Sequence, residues 1–288
     1  MILSRSGTSR VTLVIPAYNE ELHIGACLEA IADQTVKPFE VIVVDNNSTD
    51  RTAAIARSYP FVRVLTERRQ GVVYARDRGF NAARGDIIGR LDADGRLAKD
   101  WVACVQELFA DPTVDAASGV VGYRDVAMPR WFNIFDRLVR HYLSWKMSSV
   151  HESFLYGVNM AIRRSSWLTV RPYVCHERHL HEDLDLAAHM SALKQRVVFT
   201  TSMWATISPR QAAANPYDFL QYVWANTVVC KEHNMASLRY MNQVALAVSC
   251  MYLPIYMMHR GYNPQSQHFS LLYALQNTTK ARASPVAD

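Results

Sequence analysis

Residues 86–95 read Asp86-Ile87-Ile88-Gly89-Arg90-Leu91-Asp92-Ala93-Asp94-Gly95: an apolar run that ends on two carboxylates one residue apart. A short run of this kind is a buried strand. Two carboxylates just beyond its end reach one small volume. Hard divalent cations take oxygen ligands, and a cation held there attracts a diphosphate.

Working outward, the first hundred residues alternate apolar strands with amphipathic helices. Val11-Thr12-Leu13-Val14-Ile15 is a strand expected to end at Pro16, and residues 20–31 form a helix. Residues 39–44 form a second strand, stopped by Asp45-Asn46-Asn47-Ser48, with Ser48 or Thr49 placed to cap the next helix. A third strand (61–65), a helix (71–84) and the strand ending at Leu91 follow. Strands separated by helices predict an α/β fold with a mostly parallel central sheet flanked by helices. In such sheets ligands bind beyond the carboxyl ends of the strands. Three polar clusters fall there: Pro16-Ala17-Tyr18-Asn19-Glu20, Asp45 to Asp50, and Asp92-Ala93-Asp94.

The second half is less regular. Helices are expected over 101–109 and 131–147, strands over 114–121, 156–162 and 196–200, and a helix opening at His181-Glu182-Asp183. Residues 217–258 read as largely helical. Within them Val244 to Met258 is almost wholly apolar, but about fifteen residues interrupted by Pro254 fall short of the ~20 needed to span a bilayer. Buried packing, a membrane-surface helix and an oligomer contact stay open for it. The expected division is an N-terminal segment (1–10), a catalytic domain (11–212, donor half to 100), a helical C-terminal extension (213–270) and a flexible tail (271–288).

The chain has 288 residues and a net charge of +5, too diffuse for nucleic acid but suited to anionic ligands or an anionic membrane face. Five scattered cysteines without a CxxC pair point to reduced thiols rather than zinc or disulfides. Met1 to Arg10 carries no long apolar run, so no secretory signal is expected. These readings imply a cytoplasmic protein, with peripheral contact at the inner membrane face left open. His176, His179 and His181 suggest a metal cluster but fall in an irregular stretch with Glu177 and Arg178, read as a lid. Trp131, Phe132, Phe135, Tyr142 and Trp145, near Arg130, Arg137, Arg140 and Lys146, suit core packing, sugar stacking or membrane docking.

Five segments together resemble the family 2 glycosyltransferases of GT-A fold: Val14 to Glu20, Val43 to Asp50, Leu91 to Asp94, the spacing of Gly71, Ala75-Arg76, Gly79, Ala83 and Gly85-Asp86, and the pair Gly157–Arg164 with His181-Glu182-Asp183. The resemblance covers roughly residues 11 to 200. It implies an inverting transfer of a sugar from a nucleoside-diphosphate donor, UDP-linked by expectation, to a hydroxyl on a glycan, a lipid-linked glycan or a small molecule. It implies a donor site of Pro16, Ala17, Tyr18, Glu20, Asp45, Asn47, Arg76, Asp92, Ala93 and Asp94, with Mg²⁺ or Mn²⁺ on Asp94 and Asp92. Arg76 would reach a phosphate or pair with Asp94, and a purely structural ion pair stays equally open for it. Asp183 is the implied base, seconded by Glu182, and Gly157, Asn159, His181 and Glu182 form the implied acceptor side. The chain departs from the family at Asp77, where relatives carry Asn, and at Gly95, where many carry a third Asp. A non-catalytic nucleotide-sugar-binding or scaffold protein on the same fold, and a homo-oligomer, stay open.

Other classes fit less well. A calcium loop starting at Asp92 would need an acid where Ala103 stands. A phosphatase-type pair follows the first strand, not the fourth, and neither GxxxxGK[ST] nor a strand-borne GxGxxG occurs.

Overall fold

The computed structural model describes residues 8–124, 129–177, 179–208, 216–263, 266 and 268–270. Arg178 and the expected tail (271–288) lie outside the described residues, as do the side chains of Arg130, Trp131 and Phe132. The first half is β1 (Val11–Ala17), α1 (Ile24–Ala32), β2 (Glu40–Asp45), α2 (Thr52–Arg57), β3 (Val62–Thr66), α3 (Val72–Ala82), β4 (Ile87–Leu91) and β5 (Arg96–Leu97). Then follow α4 (Trp101–Leu108), β6 (Ala116–Tyr123), α5 (Pro129–Ser148), β7 (Asn159–Arg163), α6 (Arg164–Val170), α7 (Glu182–Ala192) and β8 (Val197–Ile207). Two helices, α8 (Pro216–Glu232) and α9 (Leu238–Gly261), precede a small hairpin of β9 (Tyr262–Asn263) and β10 (His268–Phe269).

The main sheet has the order β3-β2-β1-β4-β7-β6-β8-β5. β1 pairs in parallel with β2 and β4, and β2 with β3, so their carboxyl ends lie along one edge. β7 runs antiparallel between β4 and β6, with Asn159 opposite Leu91. The start of β7 therefore meets the end of β4, beside Asp92.

Both sheet faces are covered, as continuous apolar strands require. Leu13 and Ile15 pack on one face against α1 and α4, including Ile24, Leu28 and Trp101. Val14, Ile42 and Ile88 pack on the other against Phe80, Trp167, Leu186 and Met190. A third cluster joins α5, α7, α8 and α9 through Leu143, Leu184, Val229 and Met241.

Three local expectations change. Pro16 does not end the first strand: β1 continues to Ala17, which pairs with Asp45, a proline near a strand's end being tolerable. Asp50, rather than Ser48 or Thr49, accepts from the Thr52 N–H at 2.9 Å, because Ser48 and Thr49 bond Asn19 across the loop. The last strand of the main sheet runs to Ile207, because a bulge opposite Gly119/Val120 lets it keep pairing with β6 and then with β5.

Asn159, expected on the acceptor side, is instead fully buried. Its Oδ1 accepts from Trp101 Nε1 at 2.8 Å, and its Nδ2 donates to the Val120 and Met203 carbonyls at 2.8 and 3.0 Å. A side chain spent on three core bonds has no polar atom left for a substrate. Asn159→Ala orphans a buried indole N–H and weakens two carbonyls, and should lower unfolding free energy by about 2–4 kcal/mol. A urea titration reads this as an earlier midpoint at unchanged slope.

Candidate active site

The carboxyl edge of the parallel strands gathers the first group. Pro16 and Ala17 close β1, and Tyr18 follows, 40% exposed. Asp45 ends β2, and its Oδ1 accepts from the Ser48 N–H at 3.3 Å in a turn that leaves the carboxylate at the sheet edge. Asn46, not singled out in the sequence, fixes the neighbouring loop. Its Nδ2 donates to the Glu67 and Arg69 carbonyls, and its Oδ1 accepts from Gly71 N–H at 2.8 Å. Asn47 adopts a left-handed backbone (φ 63°) and donates to the Arg68 carbonyl at 2.7 Å.

Asp92 and Asp94 follow β4 directly, and both are buried, as are Ala93 and Glu20. Arg124 Nη2 donates to the Asp94 carbonyl at 2.8 Å. Burial pushes the neighbouring Cys27 thiol far up, and Asp94 reinforces the push, with Asp92 and Glu20 adding to it. Two buried aspartates one residue apart at the end of β4 are a hard-oxygen donor set, which fits Mg²⁺ or Mn²⁺.

The second group comes from the start of α7. His181 precedes that helix, and Glu182 and Asp183 open it, where the helix dipole favours carboxylates. Arg90, inside β4 and 4% exposed, joins the two groups. Its guanidinium forms an ion pair with Glu182 Oε1 and lies 3.4 Å from Asp92 Oδ1. Burial would raise the Glu182 pKa, but Arg90, backed by Arg76, outweighs it and holds that carboxyl below the usual range. Asp183 is pushed the other way, by burial first and by the Glu182 charge next. Its Oδ2 accepts from Gly157 N–H at 2.8 Å and its Oδ1 from Leu184 N–H at 2.8 Å. A side chain at position 157 would have to displace the Arg90 guanidinium, because a Cβ there would land on it.

Arg76 does not pair with Asp94. It is completely buried, bonds the Glu182 carbonyl at 2.5 Å and pairs with Asp77 at 2.8 Å. The aspartate at position 77 explains this: it supplies a countercharge one residue away and turns the guanidinium inward. In this arrangement Arg76 offers no surface to a phosphate and supports the start of α7.

The three loop histidines do not converge. His176 stacks on Tyr74 and bonds Asp77 at 3.0 Å, His179 bonds Glu232 at 2.9 Å, and His181 Nε2 donates to the Tyr222 carbonyl at 2.8 Å.

Asp92 and Asp183 both line a cavity of about 280 Å³. Its other walls are mostly apolar, with Phe135 and Leu143 from α5, Phe219 from α8, and Val244 and Val248 from α9. A polar corner is made by Asp136 and Arg140, whose guanidinium lies 3.4 Å above the Tyr156 ring centroid. Part of the apolar 244–258 segment thus faces inward, through Ala245, Val248 and Tyr252, while Leu246 and Met251 are exposed. Among the described residues no helix is long and apolar enough to cross a membrane.

The chain matches Glycosyl transferase family 2 over residues 12–168. It is 34% identical over 110 residues to the putative glycosyltransferase EpsH of Bacillus subtilis, a stretch covering 37% of this chain and 32% of that protein. To glycosyltransferase AglE of Haloferax volcanii it is 35% identical over 120 residues, 39% of this chain and 40% of the relative. The match thus spans well under half the length of these relatives. The fold is similar to the mannosyltransferase PcManGT from Pyrobaculum calidifontis, solved in complex with GDP-Man and Mn²⁺ (TM-score 0.58, 22% identity, 95% of this chain and 88% of that one). It is also similar to TarS 1-349 of S. aureus in complex with UDP-GlcNAc (TM-score 0.59, 17% identity, 88% and 80%). The parallel sheet, the carboxylates at its edge and the match over more than half of the chain lead to one assignment: this protein belongs to glycosyl transferase family 2.

Proposed function

We propose that this chain is an inverting glycosyltransferase that moves a sugar from a nucleoside diphosphate, UDP in our reading, to a hydroxyl of an acceptor with an apolar arm. The observation that carries the proposal is the cavity whose wall holds both Asp92, at the donor edge, and Asp183, at the start of α7. The nucleoside lies over Asp45 and Tyr18, and the diphosphate lies toward Asp92 and Asp94. Asp94 and Asp92 would hold a divalent cation, whose chemistry when bound would be to neutralise charge developing on the leaving diphosphate.

Asp183 takes the proton of the acceptor hydroxyl. That oxygen attacks the anomeric carbon opposite the diphosphate, the carbon–oxygen bond to phosphate breaks, and the anomeric centre inverts. Its raised pKa suits Asp183 better than Glu182 to receive a proton near neutral pH. Glu182, held ionised on Arg90, is the positioning group beside it. The mostly apolar walls from α5, α8 and α9 favour an acceptor whose hydroxyl end reaches Asp183 while a hydrocarbon or aromatic portion lies between helices. A lipid or lipid-linked glycan meets that description, and it is consistent with a protein working at a membrane surface.

The donor and acceptor halves separate experimentally. UDP-, GDP- and dTDP-sugars with Mn²⁺ are screened by thermal shift, where a ligand of the native state must raise the melting temperature. We expect a metal-dependent shift with a UDP-sugar in the wild type. Asp183→Asn should keep that shift but lose about 10²–10⁴-fold in turnover. Asp94→Ala should lose the shift and the turnover together. Unaltered turnover in both folded variants would sink the mechanism, and a donor-induced shift with no transfer to any lipid or glycan acceptor would favour a binding protein.

The Glu182 charge raises the Asp183 pKa, so Glu182→Gln should lower it. The acid limb of the pH profile of kcat/KM then moves to lower pH; an unmoved or upward-shifted limb contradicts the assignment. Arg90→Met leaves Glu182 buried without its countercharge and should destabilise the fold by about 3–5 kcal/mol. Adding Glu182→Leu should recover most of that stability in chemical denaturation.

A further inference from the structure

Further along α7 from Glu182 and Asp183, the same helix carries a second convergence of side chains. Asp185 and His189, one helical turn apart, meet Cys175 from the preceding loop and His233 from just after α8. One donor atom from each of the four lies within 4.8 Å of every other. Asp185 is completely buried, and the side chains of His189 and His233 are only 20% and 18% exposed.

Two of the spacings match a tetrahedral zinc site, and a third is a shorter hydrogen-bond contact. Zinc bonds of about 2.0–2.1 Å to nitrogen or oxygen and about 2.3 Å to sulfur put neighbouring ligand atoms about 3.3–3.4 Å apart, or about 3.5–3.6 Å where one is sulfur. Here Cys175 Sγ lies 3.6 Å from His189 Nε2, and Asp185 Oδ1 lies 3.4 Å from the same nitrogen. His233 Nε2 lies 2.9 Å from that Oδ1, and the two imidazoles stand at 85° with centroids 4.7 Å apart. Asp185 Oδ2 accepts from the Cys175 N–H at 3.0 Å, an outer hydrogen bond that orients the carboxylate.

We propose that Cys175, Asp185, His189 and His233 bind a structural zinc ion, separate from any cation on Asp92 and Asp94. Thiolate and imidazole donors select a softer ion than the all-oxygen pair at the end of β4. Four protein ligands leave no open position, so the ion is structural rather than catalytic. It ties α7, which carries Glu182 and Asp183, to the loop before it and to the end of α8, which walls the acceptor cavity.

The test uses the full chain, purified without a polyhistidine tag from zinc-supplemented medium and dialysed against a weak chelator. Elemental analysis should find about one zinc per chain in the wild type and in Asp92→Ala and Asp94→Ala, and background zinc in Cys175→Ser and His233→Ala. Cobalt exchanged into the wild type should give tetrahedral visible bands and a thiolate charge-transfer band, the latter absent in Cys175→Ser. A strong chelator should lower the melting temperature of the wild type but not of Cys175→Ser. If the variants fail to fold, the wild-type zinc content and cobalt spectrum decide alone. Background zinc with no thiolate band in the wild type overturns the proposal. So does zinc that is lost with Asp92 or Asp94 but kept without Cys175.

Discussion

A charge inside a central strand has to be answered, and in this protein the answer assembles the candidate active site. Arg90 sits between Gly89 and Leu91 in β4 with almost no exposed surface. An unpaired buried guanidinium is costly, so countercharges must come from elements that pack beside the strand. Asp92 supplies one from the same chain segment, and Glu182 supplies the other from nearly a hundred residues away. The pairing draws the start of α7 against the end of β4. It also favours glycine at 157, because the guanidinium occupies the space a side chain would take. Asp183 inherits its position from this array, accepting from the Gly157 N–H with the ionised Glu182 as its neighbour.

The two halves of the cavity follow different physics. One side is the edge of a parallel sheet: strand ends fall in line, and short polar loops leave them with carboxylates at the tips. Its loops are held by side-chain bonds to backbone, Asn46 to Glu67, Arg69 and Gly71 being the fullest example. The opposite side is made by helix faces. α5, α8 and α9 share one apolar cluster below and one cavity above, so most of the groups lining that side are hydrocarbon. A carboxylate-lined sheet edge is thus placed against an apolar space, with Arg90 and its carboxylates at the boundary.

This division also explains what the sequence made legible. Apolar period and turn residues announce parallel strands and place Asp45, Asp92 and Asp94 at one edge, because each of those inferences is local. Pairings between distant segments are not local. Nothing in the run Ile87-Ile88-Gly89-Arg90-Leu91 names the partner of Arg90, although a charge in an apolar strand signals that one exists. Asn159 reads as a polar residue near a glycine-led motif, yet it serves Trp101, Val120 and Met203 in the core. Arg76 reads equally well as a phosphate ligand or a structural ion pair, and only its contact with the aspartate at 77 decides between them. The apolar stretch after Val244 reads equally well as core, surface or interface, since its pattern does not say which cavity it faces.

The histidines carry the same point further. His176, His179 and His181 lie close in sequence and part company in space, while His189 and His233, forty-four residues apart, come together on Asp185. The helix α7 accounts for both. Its first turn presents Glu182 and Asp183 to the strand ends, and the next residues on another face, Asp185 and His189, turn toward α8. One rigid helix of eleven residues therefore serves two clusters of opposite character. The cluster at its start is acidic and open to a cavity, and the second one is mostly buried and gathered on Asp185. Asp183 can be placed accurately only if that helix cannot roll, and the contacts behind it resist rolling: His233 and Cys175 grip Asp185 two residues beyond Asp183, on the side away from the chemistry.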